Sequence, residues 1–306
     1  MDLLAVGEFQ ARPEWLRAGA AAKSSELEIA SRFDRQVRAL GPTGQSVLQS
    51  LRVGVVGLGG TGSVVVQQLA HLGIKRFVLV DDDRVEATNL HRLAGGSWRD
   101  ARLRRRKSSV ARRLIHRVSR KSTVETFGNL RSADAIDALK NVDVIIGCVD
   151  NDGARLIMTE LAAAYLIPYL DIGVGIEQNG PPSFGGRTGF FLPGGPCLAC
   201  ADELDFAEAA EDLESAAQRS VRQVRGYARD RRVEPALMPL NTAIAGIAIM
   251  ELLAFATGVD RVRPYQRYDA FARRWVPANA ERDNQCPVCG PARAMGDRLR
   301  IERYAA

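Results

Sequence analysis

Residues 53–62 read Val-Gly-Val-Val-Gly-Leu-Gly-Gly-Thr-Gly, and residues 76–83 read Arg-Phe-Val-Leu-Val-Asp-Asp-Asp. Val53 to Val56 has the continuous apolar character of a fully buried strand. Gly57, Gly59, Gly60 and Gly62 then supply a tight turn, close backbone approach to an anion and close helix packing. A helix over roughly Thr61 to Leu72 would aim its unpaired N–H groups at phosphate oxygens. Arg76 to Val80 reads as the second strand. Asp81 stands about twenty residues past the turn, where a carboxylate can accept from ribose hydroxyls. Strand, glycine turn, helix, strand and acid in this order predict a nucleotide site; the bland alternative is a tight strand–helix turn with no ligand.

Outward from this unit the alternation continues. Val124 to Phe127 is a short strand, Ala133 to Leu139 a helix capped by Ser132, Val142 to Val149 a buried strand, Asp152 to Tyr165 a helix, and Tyr169 to Val174 a further strand. This is the pattern of a doubly wound parallel sheet. Turns at Gly180 to Ser183 and at Gly185-Gly186 then predict that the sheet becomes antiparallel. Ala201 to Arg232 is acidic, then basic, and poor in large apolar residues, which predicts a crossover with partial helix. Asn241 or Thr242 would cap a helix through Phe255 whose small residues suit core or a dimer interface. Arg263 to Phe271 reads as a late strand, with Tyr265, Tyr268 and Phe271 serving as core or as a docking surface. Residues 1–31 have no clear periodicity and form an N-terminal arm.

A chain of 306 residues, 46% hydrophobic and 25% charged, can bury one large domain or two modest ones. The first residues contain Asp2 and Glu8 and no export signal, and the apolar run Ala243 to Ala256 is short for a bilayer and interrupted by Glu251. A cytoplasmic protein without a membrane partner is expected. The formal charge of +6 is compatible with a polyphosphate ligand or with nucleic acid. The basic stretch Arg99 to Lys121 carries Val110, Leu114, Ile115 and Val118 at helical spacing, so most of its charges read as a solvated helix face. With few aromatic residues there to stack bases, a nucleic-acid partner is disfavoured.

Four of the five cysteines form two pairs, Cys197-Leu198-Ala199-Cys200 and Cys286-Pro287-Val288-Cys289. Two such knuckles supply the four sulfur ligands of a closed, structural zinc site. Disulfides or unrelated thiols are the alternative, and they fit poorly with a chain lacking an export signal. Cys148, inside the run Val144 to Val149, reads as a buried hydrophobe.

Taken together, Arg32-Phe33-Asp34-Arg35-Gln36, the Gly57 to Gly62 turn, Asp81-Asp82-Asp83, Asn89-Leu90-His91-Arg92, Lys107, Cys148-Val149-Asp150-Asn151 and the paired CxxC motifs resemble the ThiF/MoeB/HesA adenylyltransferases, relatives of the ubiquitin-activating enzymes. The resemblance runs from about Ser31 to Gly290. It implies a Rossmann-like mixed sheet: an adenylation domain over 32–290, with a nucleotide-binding half (53–175), a substrate and zinc half (176–290, crossover 201–235) and a tail at 291–306.

The resemblance also implies ATP and magnesium as cofactors and the C-terminal carboxylate of a ubiquitin-like or sulfur-carrier protein ending in Gly-Gly as substrate, giving an acyl-adenylate and pyrophosphate. Gly57, Gly59, Gly60, Gly62, Asp81, Asp83, Asn89, Arg92, Lys107 and Asp150 would bind the nucleotide. Asp81 would hold the ribose, Asn89, Arg92 and Lys107 the phosphates, and Asp150 the magnesium ion. Arg35, Arg92, Lys107 and Asp150 would be catalytic, with Arg35 reaching the partner's ATP across a homodimer interface. Asp150-Asn151-Asp152 could instead cap the following helix, Asp83 could be a solvated loop residue, and a neighbouring arginine could replace Lys107. Ala201 to Gln285 contains no cysteine. Adenylation without an enzyme-bound thioester is therefore expected, with transfer to a sulfur donor, an amine or a conjugating protein. Adenylation of a peptide or RNA-linked carboxylate, a non-catalytic zinc-stabilised nucleotide-binding protein and an NAD-dependent oxidoreductase are the other classes; the last leaves Arg35, Asn89, Arg92 and Lys107 unexplained.

Overall fold

The computed structural model describes residues 31–177, 183–215, 218, 220, 235–278 and 280–304. The N-terminal arm, the turn expected at Gly180 and the second half of the crossover therefore lie wholly or mostly outside the described residues. At the centre is one eight-stranded sheet of β1 (Arg52–Val56), β2 (Arg76–Val80), β3 (Thr123–Phe127), β4 (Val144–Gly147), β5 (Tyr169–Glu177), β6 (Ser183–Phe191), β7 (Tyr265–Asp269) and β8 (Arg274–Pro277). Its order is β3-β2-β1-β4-β5-β6-β7-β8. The strands from β3 to β5 pair in parallel, and those from β5 to β8 pair antiparallel, giving the mixed sheet that the turn pattern predicts. The order reverses between β1 and β4, so a crevice opens there at the carboxyl ends of the strands.

Helices cover both faces. On one lie α1 (Asp34–Ser50), α2 (Gly60–Leu72), α4 (Lys107–Val118), which follows the short α3 (Trp98–Arg102), and α8 (Met238–Thr257). Val53, Val55, Val65, Leu69, Ile115, Ile244, Ala248 and Leu252 form the core beneath them. Against the other face pack α5 (Ala133–Lys140) and α6 (Asp152–Tyr165), together with the cysteine knuckles and the C-terminal residues, through Val56, Ile136, Leu139, Ile157, Leu161, Leu198 and Ile301. Burial on both faces explains why β1, β2 and β4 read as nearly unbroken apolar runs. α8 is long and apolar enough to cross a membrane, yet it packs on α2, β5 and β6 as a core helix.

Four local expectations need correction. Gly185 and Gly186 do not turn the chain; they sit inside β6. A side chain at Gly185 would strike the Tyr268 carbonyl oxygen at 2.4 Å, and one at Gly186 would strike Ile244 of α8 at 2.8 Å. These glycines allow neighbours to approach the strand closely. β4 is shorter than expected: Val142 still bonds back to Leu139, and the strand ends at Gly147, after which Cys148 N makes a last bond to the Val56 carbonyl of β1. α8 starts at Met238, with Pro239 near its N-terminus and Leu237 as its first flanking residue, so Asn241 and Thr242 lie within the helix rather than capping it. Finally, the basic stretch forms two helices, not one. Its Arg105 and Arg113 turn inward onto Asp100, which is fully buried, with Arg113 at 2.6 Å.

Candidate nucleotide and metal sites

The crevice between β1 and β4 is shaped by the glycine turn. Gly57 has φ +83°, and a side chain there would collide with the Cys148 carbonyl oxygen at 2.6 Å. One at Gly62 would overlap the Gly57 carbonyl oxygen at 1.9 Å, so α2 packs directly on the turn. The helix begins at Gly60, and no side chain caps it. Its first N–H groups are thus available to an anion.

Asp81 closes the same turn. Its Oδ2 accepts from Leu58 N at 2.6 Å and its Oδ1 from Asp83 N at 2.9 Å. Burial raises its pKa to about 6 against the opposing pull of the Lys107 charge and the Leu58 hydrogen bond. Lys107 is mostly buried and ion-paired with Asp83 at 2.6 Å, while its backbone bonds the Asp83 carbonyl at 3.0 Å. That bond fixes which of the neighbouring cations reaches the acidic cluster: it is Lys107. Asn89 uses its oxygen to accept from Glu86 N at 3.0 Å, and its amide hydrogens have no partner among the described residues. Arg92 donates to the Thr88 carbonyl at 3.0 Å, and its stem lies 3.2 Å from where a side chain at Gly60 would begin.

Asp150 follows β4 at the lip of the crevice. It is exposed and makes no hydrogen bond or ion pair among the described residues. Helix capping falls instead to Asn151, which accepts from Ala154 N at 2.8 Å. Asp152 holds Arg155 at 2.6 Å, and Arg155 also donates to the Val149 carbonyl at 3.0 Å. The short loop bearing Asp150 is thereby pinned on both sides. Arg35 is exposed on α1 and likewise makes no hydrogen bond or ion pair among the described residues, so the structure does not join it to this cluster.

Two groups of residues here escape sequence reasoning. One is a buried ionic chain running from the Asp150 loop toward the first cysteine knuckle. Asp171, 1% exposed, faces Arg155 at 3.7 Å and Arg187 at 3.1 Å, and Arg187 reaches Glu203 at 3.1 Å. Glu203 also binds Arg267 and Tyr265. Asp171 and Arg187 are charged residues in otherwise apolar or glycine-rich strands, and that was the available signal. The other is Asn241, whose amide nitrogen lies beside Gly60. On the crossover, Asp205 N donates to Asp152 at 2.7 Å, and Asp212 of α7 (Phe206–Leu213) accepts from Gly153 N at 3.0 Å. A side chain on Gly153 would meet Asp212 at 2.6 Å.

The four paired cysteines converge, with all their sulfur atoms within 4.8 Å of one another. Sγ separations of 3.7 Å (Cys197–Cys200), 3.7 Å (Cys197–Cys286) and 3.6 Å (Cys200–Cys289) match the roughly 3.8 Å edge of a tetrahedron built on zinc–sulfur bonds of about 2.3 Å. The cysteines are free thiols, and these distances far exceed a disulfide bond. The donor set therefore fits a closed zinc site.

A doubly wound α/β fold with a glycine turn, a buried carboxylate and cationic side chains at its switch point has the architecture of the Rossmann kind. The model of the ThiF family matches residues 33–288, and the chain belongs to that family. It is 27% identical to the sulfur carrier protein adenylyltransferase of Thermus thermophilus over 86% of this chain and 92% of that protein. It is 23% identical to ubiquitin-like modifier-activating enzyme 5 of Oryza sativa subsp. japonica over 79% of this chain and 57% of the relative. The chain spans less than two thirds of the length of the activating enzymes it matches. Among solved structures, E. coli MccB with ATP superposes with a TM-score of 0.67 at 20% identity, covering 86% of this chain and 75% of that one, a likeness of fold.

The raised pKa of Asp81 has a testable consequence. Its proton is held more tightly in the folded than in the unfolded chain, so its contribution to stability is greatest below about pH 4 and is lost as pH rises through about 6. If Asp81 accepts from the ribose hydroxyls, it does so more strongly when ionised. Affinity for adenosine, which carries no phosphate to titrate, is expected to rise through about pH 6 and level off above it. An isothermal titration series giving a flat profile from about pH 5 to 8 would remove the carboxylate from the ribose site.

Proposed function

We propose that this chain activates a carboxylate by adenylation, taking ATP and the C-terminal carboxylate of a ubiquitin-like or sulfur-carrier protein to an acyl-adenylate and pyrophosphate. The observation that carries this reading is the clustering of Asp81, the uncapped α2 terminus, Arg92, Lys107 and an unpaired Asp150 around one crevice. A substrate carboxylate oxygen attacks the α-phosphorus. The bond to the bridging oxygen of pyrophosphate breaks, and pyrophosphate leaves with the electron pair. Asp150 would hold magnesium, which supplies positive charge to the phosphates. Arg92 and Lys107 would offset the charge that builds on the phosphoryl oxygens, so catalysis is positioning plus electrostatic stabilisation. Arg35 would complete the site across a homodimer, for which the uncovered side of α8 around Ala243, Ile247 and Met250 offers an apolar face.

The activated acyl group would pass directly to its acceptor. The stretch 201–285 has no cysteine, four cysteines are committed to the metal-type cluster, and burial together with the nearby Asp171 charge pushes the Cys148 thiol up, away from the reactive thiolate.

The test is ATP–pyrophosphate exchange with magnesium and a panel of small proteins ending in Gly-Gly, with short peptides alongside. Exchange dependent on one carrier protein is the expected result. Exchange with a peptide alone would move the substrate class, and ATP binding without exchange on any acyl substrate would overturn the enzymatic reading.

A further inference from the structure

Asn241 is out of place by composition. It lies in the first turn of an α8 that runs Met238-Pro239-Leu240-Asn241-Thr242-Ala243-Ile244-Ala245, is 3% exposed, and its side chain makes no hydrogen bond among the described residues. Its carboxamide atoms are not among the fully buried polar atoms that lack a partner, so the little exposure the residue keeps lies at its polar end, where a ligand can reach it. No side chain caps α8, so this 20-residue helix, like α2, leaves its first N–H groups open at the same place. The two helices pack together. A side chain built on Gly60 would start 2.3 Å from the Asn241 amide nitrogen and 3.2 Å from the Arg92 stem. The carboxamide therefore stands directly over the glycine turn, beside a cation placed for phosphate, and the missing Gly60 side chain leaves room for it.

We propose that Asn241 is a further nucleotide-binding residue, donating an amide hydrogen to the phosphate chain of the bound nucleoside triphosphate. This rests on the nucleotide reading of the crevice. The chemistry suits the position: a neutral donor can wait buried without a counter-ion, whereas an unpaired cation there would be far costlier to bury. With the N-terminus of α8 behind it, the donor adds to the favourable field of α2 without adding net charge to a site that already holds Arg92 and Lys107. The second half of the chain thereby contributes a contact to a nucleotide bound mainly by the first.

The experiment compares wild type, Asn241→Asp, Asn241→Ala and Asn241→Leu by isothermal titration with magnesium ATP and, separately, with adenosine. ATP affinity is expected to fall about tenfold in the alanine and leucine variants and further in the aspartate variant, where a carboxylate would face phosphate, while adenosine affinity stays at the wild-type level. Ligand-free Asn241→Leu should melt close to the wild-type temperature, because it breaks no hydrogen bond among the described residues. A purely structural asparagine would give the reverse, a lower melting temperature with unchanged ATP affinity, and that result overturns the proposal. The alanine variant decides the question should the aspartate variant fail to fold. Absence of ATP binding by wild type would instead overturn the nucleotide reading itself.

Discussion

Asp150→Ala is expected to lower ATP–pyrophosphate exchange by about a thousandfold or more while leaving the melting temperature within a degree or two of wild type. Both halves follow from one geometry. The carboxylate is exposed and unpaired, so the fold does not depend on it, and Asn151, Asp152 and Arg155 hold the loop without it. If Asp150 holds magnesium as proposed, its loss removes positive charge from the transition state in which pyrophosphate leaves. A mixture with the equally inactive Arg35→Ala protein should regain part of the exchange activity if Arg35 serves the partner's site, because one of the two sites in a mixed dimer is then intact. Full exchange by Asp150→Ala alone would remove the magnesium role, and failure of the mixture would place Arg35 outside the neighbouring site.

Cys286→Ser is expected to abolish stoichiometric zinc and to lower the melting temperature by about 10 °C or more. Cys286 is buried in the core that joins the knuckles to α6, beside Cys197, Leu198 and Val288. With one sulfur gone, the remaining three hold zinc poorly. If zinc bridges the two knuckles, they would lose that common anchor and keep only their shared apolar packing. Metal content by atomic emission and melting by calorimetry check both statements. A variant that loses zinc yet melts like wild type would show that packing alone holds the knuckles together.

The nucleotide half was legible in the sequence because its signals are local. Parallel strands buried on both faces appear as apolar runs, the glycine turn needs glycine at particular steps, and α5 and α6 carry their caps, Ser132 and Asn151, in sequence. The cysteine knuckles were legible for the same reason, since spacing carries them. Other features depend on partners far along the chain. Gly185-Gly186 looks like a turn until Tyr268 and Ile244 are brought against it. Arg187 looks like an ordinary strand residue until Asp171 and Glu203 close around it. β8 carries no local signal because the chain reverses at Arg273, whose φ of +52° is not marked by a glycine, and Trp275 packs against Tyr268 from across the reversal, ring centroids 5.0 Å apart. Asn241 reads as a helix cap because its residue type favours that role, and only packing of α8 on α2 shows which surface it faces.

That packing bears on how this chain could be divided or recombined. α8 is encoded after the crossover, yet it returns to roof the first half, and Ile244, Ala245, Ala248 and Leu252 share one core with Val64, Val65 and Leu69 of α2. A fragment ending at β5 would keep every residue of the glycine turn and leave that core open to water. A hybrid joining the first half of one relative to the second half of another would have to match across this seam before it could match at its active site. The two halves are thus separable on paper and interlocked in space, and they are expected to have diversified together rather than by exchange.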